Sequence, residues 1–140
     1  MESIGIEHFL DSEGRLAALV IRKDFRADGI SFPTPSTFSQ QVGVMFRRAG
    51  YVVEPHEHTP QRREIHDTVE VLFVRSGAIE VTLFDSAHKA FTSFQVGPLE
   101  AVLLASTGHG ITFLEDSDVL EVKQGPYTET ADKIRFLPND

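Results

Sequence analysis

The stretch EPHEHTP, residues 54–60, sets His56 and His58 one residue apart between two prolines. In a strand, residues i and i+2 point to the same face, so both imidazoles would project side by side. That spacing suits one metal ion, since first-row metals take imidazole nitrogen at ~2.0–2.1 Å. The competing reading is a pair of exposed histidines in a proline-bounded loop. Glu70 follows in DTVEVLFVRSG and shares its alternation with Leu72 and Val74. A carboxylate on a buried face must be paired, neutral or metal-bound, because burying it alone is costly. If the opposite face is the inner one, Val69, Val71 and Phe73 form the core and Glu70 meets water. Periodicity leaves both open. Glu64, in the charged stretch QRREIHD, is a rival ligand on a segment that reads as a loop. His109 stands between Gly108 and Gly110 in ASTGHGITF. Glycine permits a sharp turn that could aim the imidazole inward, against a bland reading as a polar turn residue.

Charged neighbours offer substrate contacts. Arg62 and Arg63 start the segment after the histidine pair, and a guanidinium fork binds anions in a bidentate way. Arg47 and Arg48 read as ordinary charged surface. Lys123, in VLEVKQG, shares a face with Glu121; it is a candidate substrate contact, with a cross-strand salt bridge as the plainer role. His66 is a loop histidine or a proton shuttle. His8 and His88 have no partners by spacing and read as surface. Tyr127, after Gly125-Pro126, reads as a turn or lid anchor.

The elements that must position these groups are strands. RLAALVIRK (15–23), QVGVMFRRAG (41–50), KAFTSFQV (89–96), AVLLA (101–105), GITFLE (110–115) and VLEVKQ (119–124) are short, apolar or alternating. An Asp-Ser-Glu-Gly turn precedes the first. SFPTPSTFSQ (31–40) reads as a loop, from its prolines and hydroxyls. VEVLFVRSGAIEVTLFD (69–85) reads as a hairpin turning at Ser76-Gly77. Only the tail TETADKIRFLP could hold a helical turn. Many short strands without intervening helices predict an all-β sandwich or barrel. Phe46, Leu72, Val74 and Phe113 are core candidates.

Bulk composition bounds the function. The chain has 140 residues, 41% of them apolar, which suits a single domain with a real core. Its net charge of −8, from 13 basic and 21 acidic residues, argues against nucleic-acid binding, which needs basic surface. There is no cysteine, which excludes disulfides, thiolate metal sites and cysteine nucleophiles. The N-terminal MESIGIEHFL lacks the basic and apolar regions of a signal peptide, and no apolar run is long enough for a membrane helix. A cytoplasmic location is the expectation.

Taken in order, Gly50, His56, His58, Glu70, Gly77 and a later His109 form a pattern that resembles the cupin superfamily over roughly residues 40–125. The segments HEHTPQRREIHDTVEVLFVRSG, LLASTGHGITFLED and LEVKQGPYTETADKIRF are similar to small single-domain bacterial cupins. The resemblance implies one domain over residues 1–140, a double-stranded β-helix (jelly-roll barrel) with short N-terminal strands. It implies one divalent transition metal (Mn, Fe, Ni, Co, Cu or Zn) on His56, His58, Glu70 and His109. It also implies a homodimer paired through N-terminal strands, for which residues 15–23 are the candidate. Two departures stand out. The gap from His58 to Glu70 is long, so TPQRREIHDTV reads as an inserted loop. Leu99-Glu100 replaces a usual Gly-Asp, and the expected proline before His109 is missing. The function implied is a metal-dependent isomerase, epimerase or oxygenase acting on a small polar or anionic metabolite, sugars included, with Glu70 as a catalytic proton carrier. The alternatives are a non-catalytic ligand-binding cupin and a cupin that has lost its metal.

Overall fold

The computed structural model of the chain describes residues 4–105, 107–130 and 132–140. Ten strands and no helix occur among them: β1 (Ile6–Leu10), β2 (Leu16–Ile21), β3 (Gly29–Ser31), β4 (Val44–Phe46), β5 (Glu70–Ser76), β6 (Ile79–Phe84), β7 (Ala90–Val96), β8 (Ala101–Leu104), β9 (Gly108–Phe113) and β10 (Asp118–Lys123). The all-β expectation is met. No helix is long and apolar enough to cross a membrane among these residues. The described residues of the tail form no helix; residues 129–130 lie in a turn, and Ala131 beside them lies outside the described residues. The chain divides into two compact units, one of Met1–Phe25 with Asp67–Asp140 and one of Arg26–His66.

The first unit holds two antiparallel sheets. One has the order β1-β2-β8-β5-β10 and the other β7-β6-β9. They form separate sheets rather than one closed barrel, and they share a core. Ile79, Val81 and Leu83 of β6 and Phe94 and Val96 of β7 pack in one cluster with Ala18, Val20, Leu72, Val74, Val102 and Leu104 of the larger sheet. This is the packing expected of a β-sandwich, where inner faces interdigitate. Phe9 stacks on Phe94 with ring centroids 4.1 Å apart, adding a contact between the sheets. The continuous apolar runs of β2 and β8 have the same cause. Both are interior strands, and Leu19 and Leu103, paired in register, are buried on the face away from that cluster. Because β2 pairs with β1 on one side and β8 on the other, residues 15–23 cannot offer a free edge to a second copy. The edge strands of this sheet are β1 and β10.

The Asp-Ser-Glu-Gly turn precedes β2 as read, and it closes a hairpin with β1, a strand the sequence reading did not include. Asp11 Oδ1 accepts from the Glu13 and Arg15 amides, and Gly14 takes φ 78. The Ser76-Gly77 hairpin is not formed. β5 pairs with β8 and β10, whereas β6 pairs with β7 and β9, so Gly77 is a corner between sheets. Both segments carry inward aliphatic rows, and placing them in opposed sheets buries both rows against each other. Gly77 makes the corner possible with φ 86 and a backbone so close to Asp116 and Ser117 that a Cβ would collide. Ser117 Oγ then accepts the Ala78 amide at 3.0 Å. Two core candidates are also corrected: Leu72 and Val74 are buried, but Phe46 and Phe113 are exposed at strand ends.

The second unit contains one short antiparallel pair, β3 with β4. Its SFPTPSTFSQ segment is the loop its prolines predicted. Buried Thr34 donates from Oγ1 to Gln41 Oε1 at 2.7 Å, and Gln41 Nε2 donates to the carbonyls of Pro35 and Phe38. Side-chain bonds replace the ladder that prolines forbid.

Candidate functional site

Glu70 opens β5 on the inward row of Leu72 and Val74, which settles the facing that alternation left open. His109 lies within β9, not in a turn. It stands opposite Leu83 and shares its side of the strand with Ile111, a residue packed on the core. Two sheets therefore aim these groups at one point, and His109 Nε2 meets Glu70 Oε1 at 2.7 Å. The half-buried carboxylate has found its partner, as its partial loss of water requires. That hydrogen bond to His109 holds the Glu70 carboxyl down at about 2, against burial, which pushes it up. A second hydrogen bond comes from Glu121, whose own carboxyl is pushed upward by sharing it. His109 Nδ1 is buried with no hydrogen-bond partner among the described residues. The glycines beside His109 leave room for rings: a Cβ at Gly108 would meet the edge of Phe136 at 3.0 Å.

Lys123 stands opposite Glu70 in register across β10 and β5. Its ammonium donates to Asp132 Oδ2 at 2.7 Å and lies 3.9 Å from Glu121 Oε1. Hydrogen bonding to Asp132 pushes the Lys123 ammonium up. The cross-strand salt bridge is thus replaced by a bond to the tail and a same-strand contact. Tyr127 joins this group, with the ammonium 5.0 Å from its ring centroid. Glu121 and Asp132 were missed as site residues. The alternation of VLEVK signals Glu121, but no spacing rule signals Asp132, which reaches Lys123 only because the tail folds back.

Leu99-Glu100 stands where the resemblance implied a Gly-Asp. Leu99 takes φ 64, the left-handed region that glycine enters freely. Glu100 Oε2 accepts the Gly97 amide and pairs with Arg22 at 2.9 Å each.

His56 and His58 belong to the second unit and lie outside any strand. The shared face is therefore not a property of a pleat. Their rings are still neighbours, with centroids 5.4 Å apart and planes at 65°. His56 Nδ1 lies 2.8 Å from the Glu54 carbonyl oxygen. A carbonyl only accepts, so Nδ1 carries the proton, and neutral His56 keeps its lone pair on Nε2. That tautomer leaves Nε2 free to act as a metal ligand. Residues 51–68 are all exposed and lie outside any strand. Within this stretch Glu64 pairs only with His66, at 3.5 Å. Arg63 lines an open cleft of about 650 Å³ with Ser36, Thr37, Gln41 and Ile65; Arg62 is exposed. Among the described residues no three His, Asp or Glu side chains are gathered as a metal site. The four expected ligands fall two in each unit. Comparison with protein-family models, with curated proteins and with solved structures finds no match.

Proposed function

We propose that the chain is a metal-binding protein of the cupin type, with a jelly-roll arrangement of its two sheets. In this reading it acts as a metal-dependent isomerase, epimerase or oxygenase on a small polar or anionic metabolite. The observation that carries the reading is the convergence of Glu70 and His109, from opposed sheets, to 2.7 Å. The residues present suit a metal: imidazoles and one carboxylate are the donors of Mn to Zn sites, and His109 offers an orphaned buried nitrogen. His56, His58, Glu70 and His109 would hold it; the first two enter by their spacing and by the tautomer of His56. Such a metal would polarise a bound carbonyl or activate dioxygen.

The protein's own groups have separate tasks. Glu70 is a firm anion at neutral pH and a poor base, so its task is to hold charge and orient His109. Proton movement falls to Glu121, which keeps its proton more readily. Lys123, anchored by Asp132, places positive charge beside them, where an anionic substrate group would dock. A second reading has its own observation. Glu70 and His109 already satisfy each other without an ion, as a metal-free acid–base or binding protein would have it. A homodimer formed by addition of N-terminal strands would use the β1 edge.

Metal content of tag-free protein, measured by mass spectrometry beside His56→Ala and His109→Ala, separates the readings. About one metal per chain, lost in both variants, is expected. No metal after supplying Mn, Fe, Ni and Zn overturns the metal reading and leaves the acid–base pair.

A further inference from the structure

The second unit carries a feature that the histidine motif does not use. An open cleft of about 450 Å³ is lined by Asp28, Gly29, Phe46, Arg47, Arg48 and Tyr51. Its construction is local. The Tyr51 amide donates to the Arg48 carbonyl at 3.1 Å, closing a tight turn whose third residue, Gly50, takes φ 88. A turn of that kind needs positive φ at its third position, which glycine supplies. The turn folds Tyr51 back over its neighbour, and the Arg47 guanidinium carbon lies 4.4 Å from the Tyr51 ring centroid. Gly29, paired with Phe46 in register, lies against the same guanidinium. A Cβ there would stand 2.6 Å from Arg47 Nη1, so only glycine admits Arg47 in this pose. Backbone and ring together hold the guanidinium, so little of its freedom remains to be lost on binding.

The Arg47 charge meets the Tyr51 ring but no carboxylate among the described residues. Arg15, Arg22 and Arg75 each meet a carboxylate, in a chain with acidic excess. Arg47 and Arg48 have no carboxylate within salt-bridge distance among the described residues, although Asp28 shares the cleft. Phe46 and Tyr51 are both more than half exposed beside them. Two arginines, one held in place, next to two exposed aromatic faces make a receptor for an oxyanion on a flat apolar body.

We propose that the cleft around Arg47 binds a small oxyanion-bearing molecule with a planar apolar body, through the Arg47 fork and the faces of Phe46 and Tyr51. The site lies within residues 26–66 and is independent of any metal. Carboxylates and phosphate monoesters share the required chemistry. Titration of the EDTA-treated protein with benzoate, phenyl phosphate, benzamide and inorganic phosphate tests it, followed by the backbone amide signals of Gly29 and Tyr51 in NMR. Saturable shifts are expected with benzoate or phenyl phosphate, and whichever binds more tightly names the anion. Neutral benzamide should bind at least tenfold more weakly. Arg47→Ala should weaken the bound anion at least tenfold, and Arg47→Lys, which keeps charge but not the fork, should also weaken it. Unchanged signals from the β6 and β8 amides check that each variant is folded; if Arg47→Ala is not, Arg47→Lys decides. Shifts that do not saturate, that map elsewhere, or that survive both Arg47 variants would overturn the site.

Discussion

Residues 67–140 and residues 26–66 use similar apolar vocabulary and end in different physical states. In the first, Ile79, Val81, Leu83, Val96 and Val102 lose all contact with solvent. In the second, Tyr51, Val52 and Val53 form an apolar triplet that stays exposed, Val52 at 74%. The difference is partnership. A strand hides its apolar row only when another sheet offers one in return. Strands β5 to β10 supply two such rows, whereas β3 and β4 are three residues each and face no second sheet within their unit. Chemistry divides the same way. The Glu70–His109 pair sits on pleated strands and is set by register, while His56, His58 and Arg47 sit on turns and loops set by local hydrogen bonds.

The contrast can be broken most directly by truncating matched aliphatics. Leu83→Ala should cost about 2–5 kcal/mol, from lost transfer energy plus a cavity. Val52→Ala should stay within about 0.5 kcal/mol, as an exposed change. Urea denaturation reads both. A large loss at Val52 would mean that residues 51–53 are buried in solution and would dissolve the contrast. Glycines sharpen it. Gly77 and Gly50 both have positive φ, but only Gly77 has backbone within reach of an added Cβ. Gly77→Ala should cost about 2–4 kcal/mol from strain and collision, and Gly50→Ala about 1 kcal/mol from strain alone. Equal melting-temperature shifts would remove the collision at the corner.

A pH-dependent effect is expected in acid. The folded-state Glu70 carboxyl lies near 2, below its ordinary 4.5. It therefore stabilises the fold above about 4.5, and this contribution fades as pH falls toward 2. In EDTA-treated protein the urea midpoint should decline between pH 5 and 2.5 (a span chosen to bracket roughly those two values) less steeply in Glu70→Gln than in wild type. Glu64→Gln, on the exposed loop, should follow wild type. Parallel curves for Glu70→Gln and wild type would mean that the pair with His109 does not form in solution.

Much of the strand inventory was legible because a half-buried strand writes its period into the chain. The runs at 15–23, 89–96, 101–105 and 119–124 each became a strand within a residue or two of their expected ends. The strand at 41–50 shrank to Val44–Phe46, since alternation alone cannot hold a strand that has no opposing sheet. Strand pairing was not legible. The Ser-Gly at 76–77 looks the same whether it turns a hairpin or rounds a corner, and the choice is made by which rows of side chains can be buried together.

The sequence by itself determined composition, the absence of cysteine, the acidic balance, the β character and the candidate groups, because these follow from residue type and local period. Only the tertiary structure decided that Glu70 faces inward, that His109 comes from the opposite sheet to meet it, and that Asp132 holds Lys123. Each of these joins residues distant along the chain. Such contacts form because burial must be shared between sheets and a buried charge must be answered, and no local pattern records which partner will answer it.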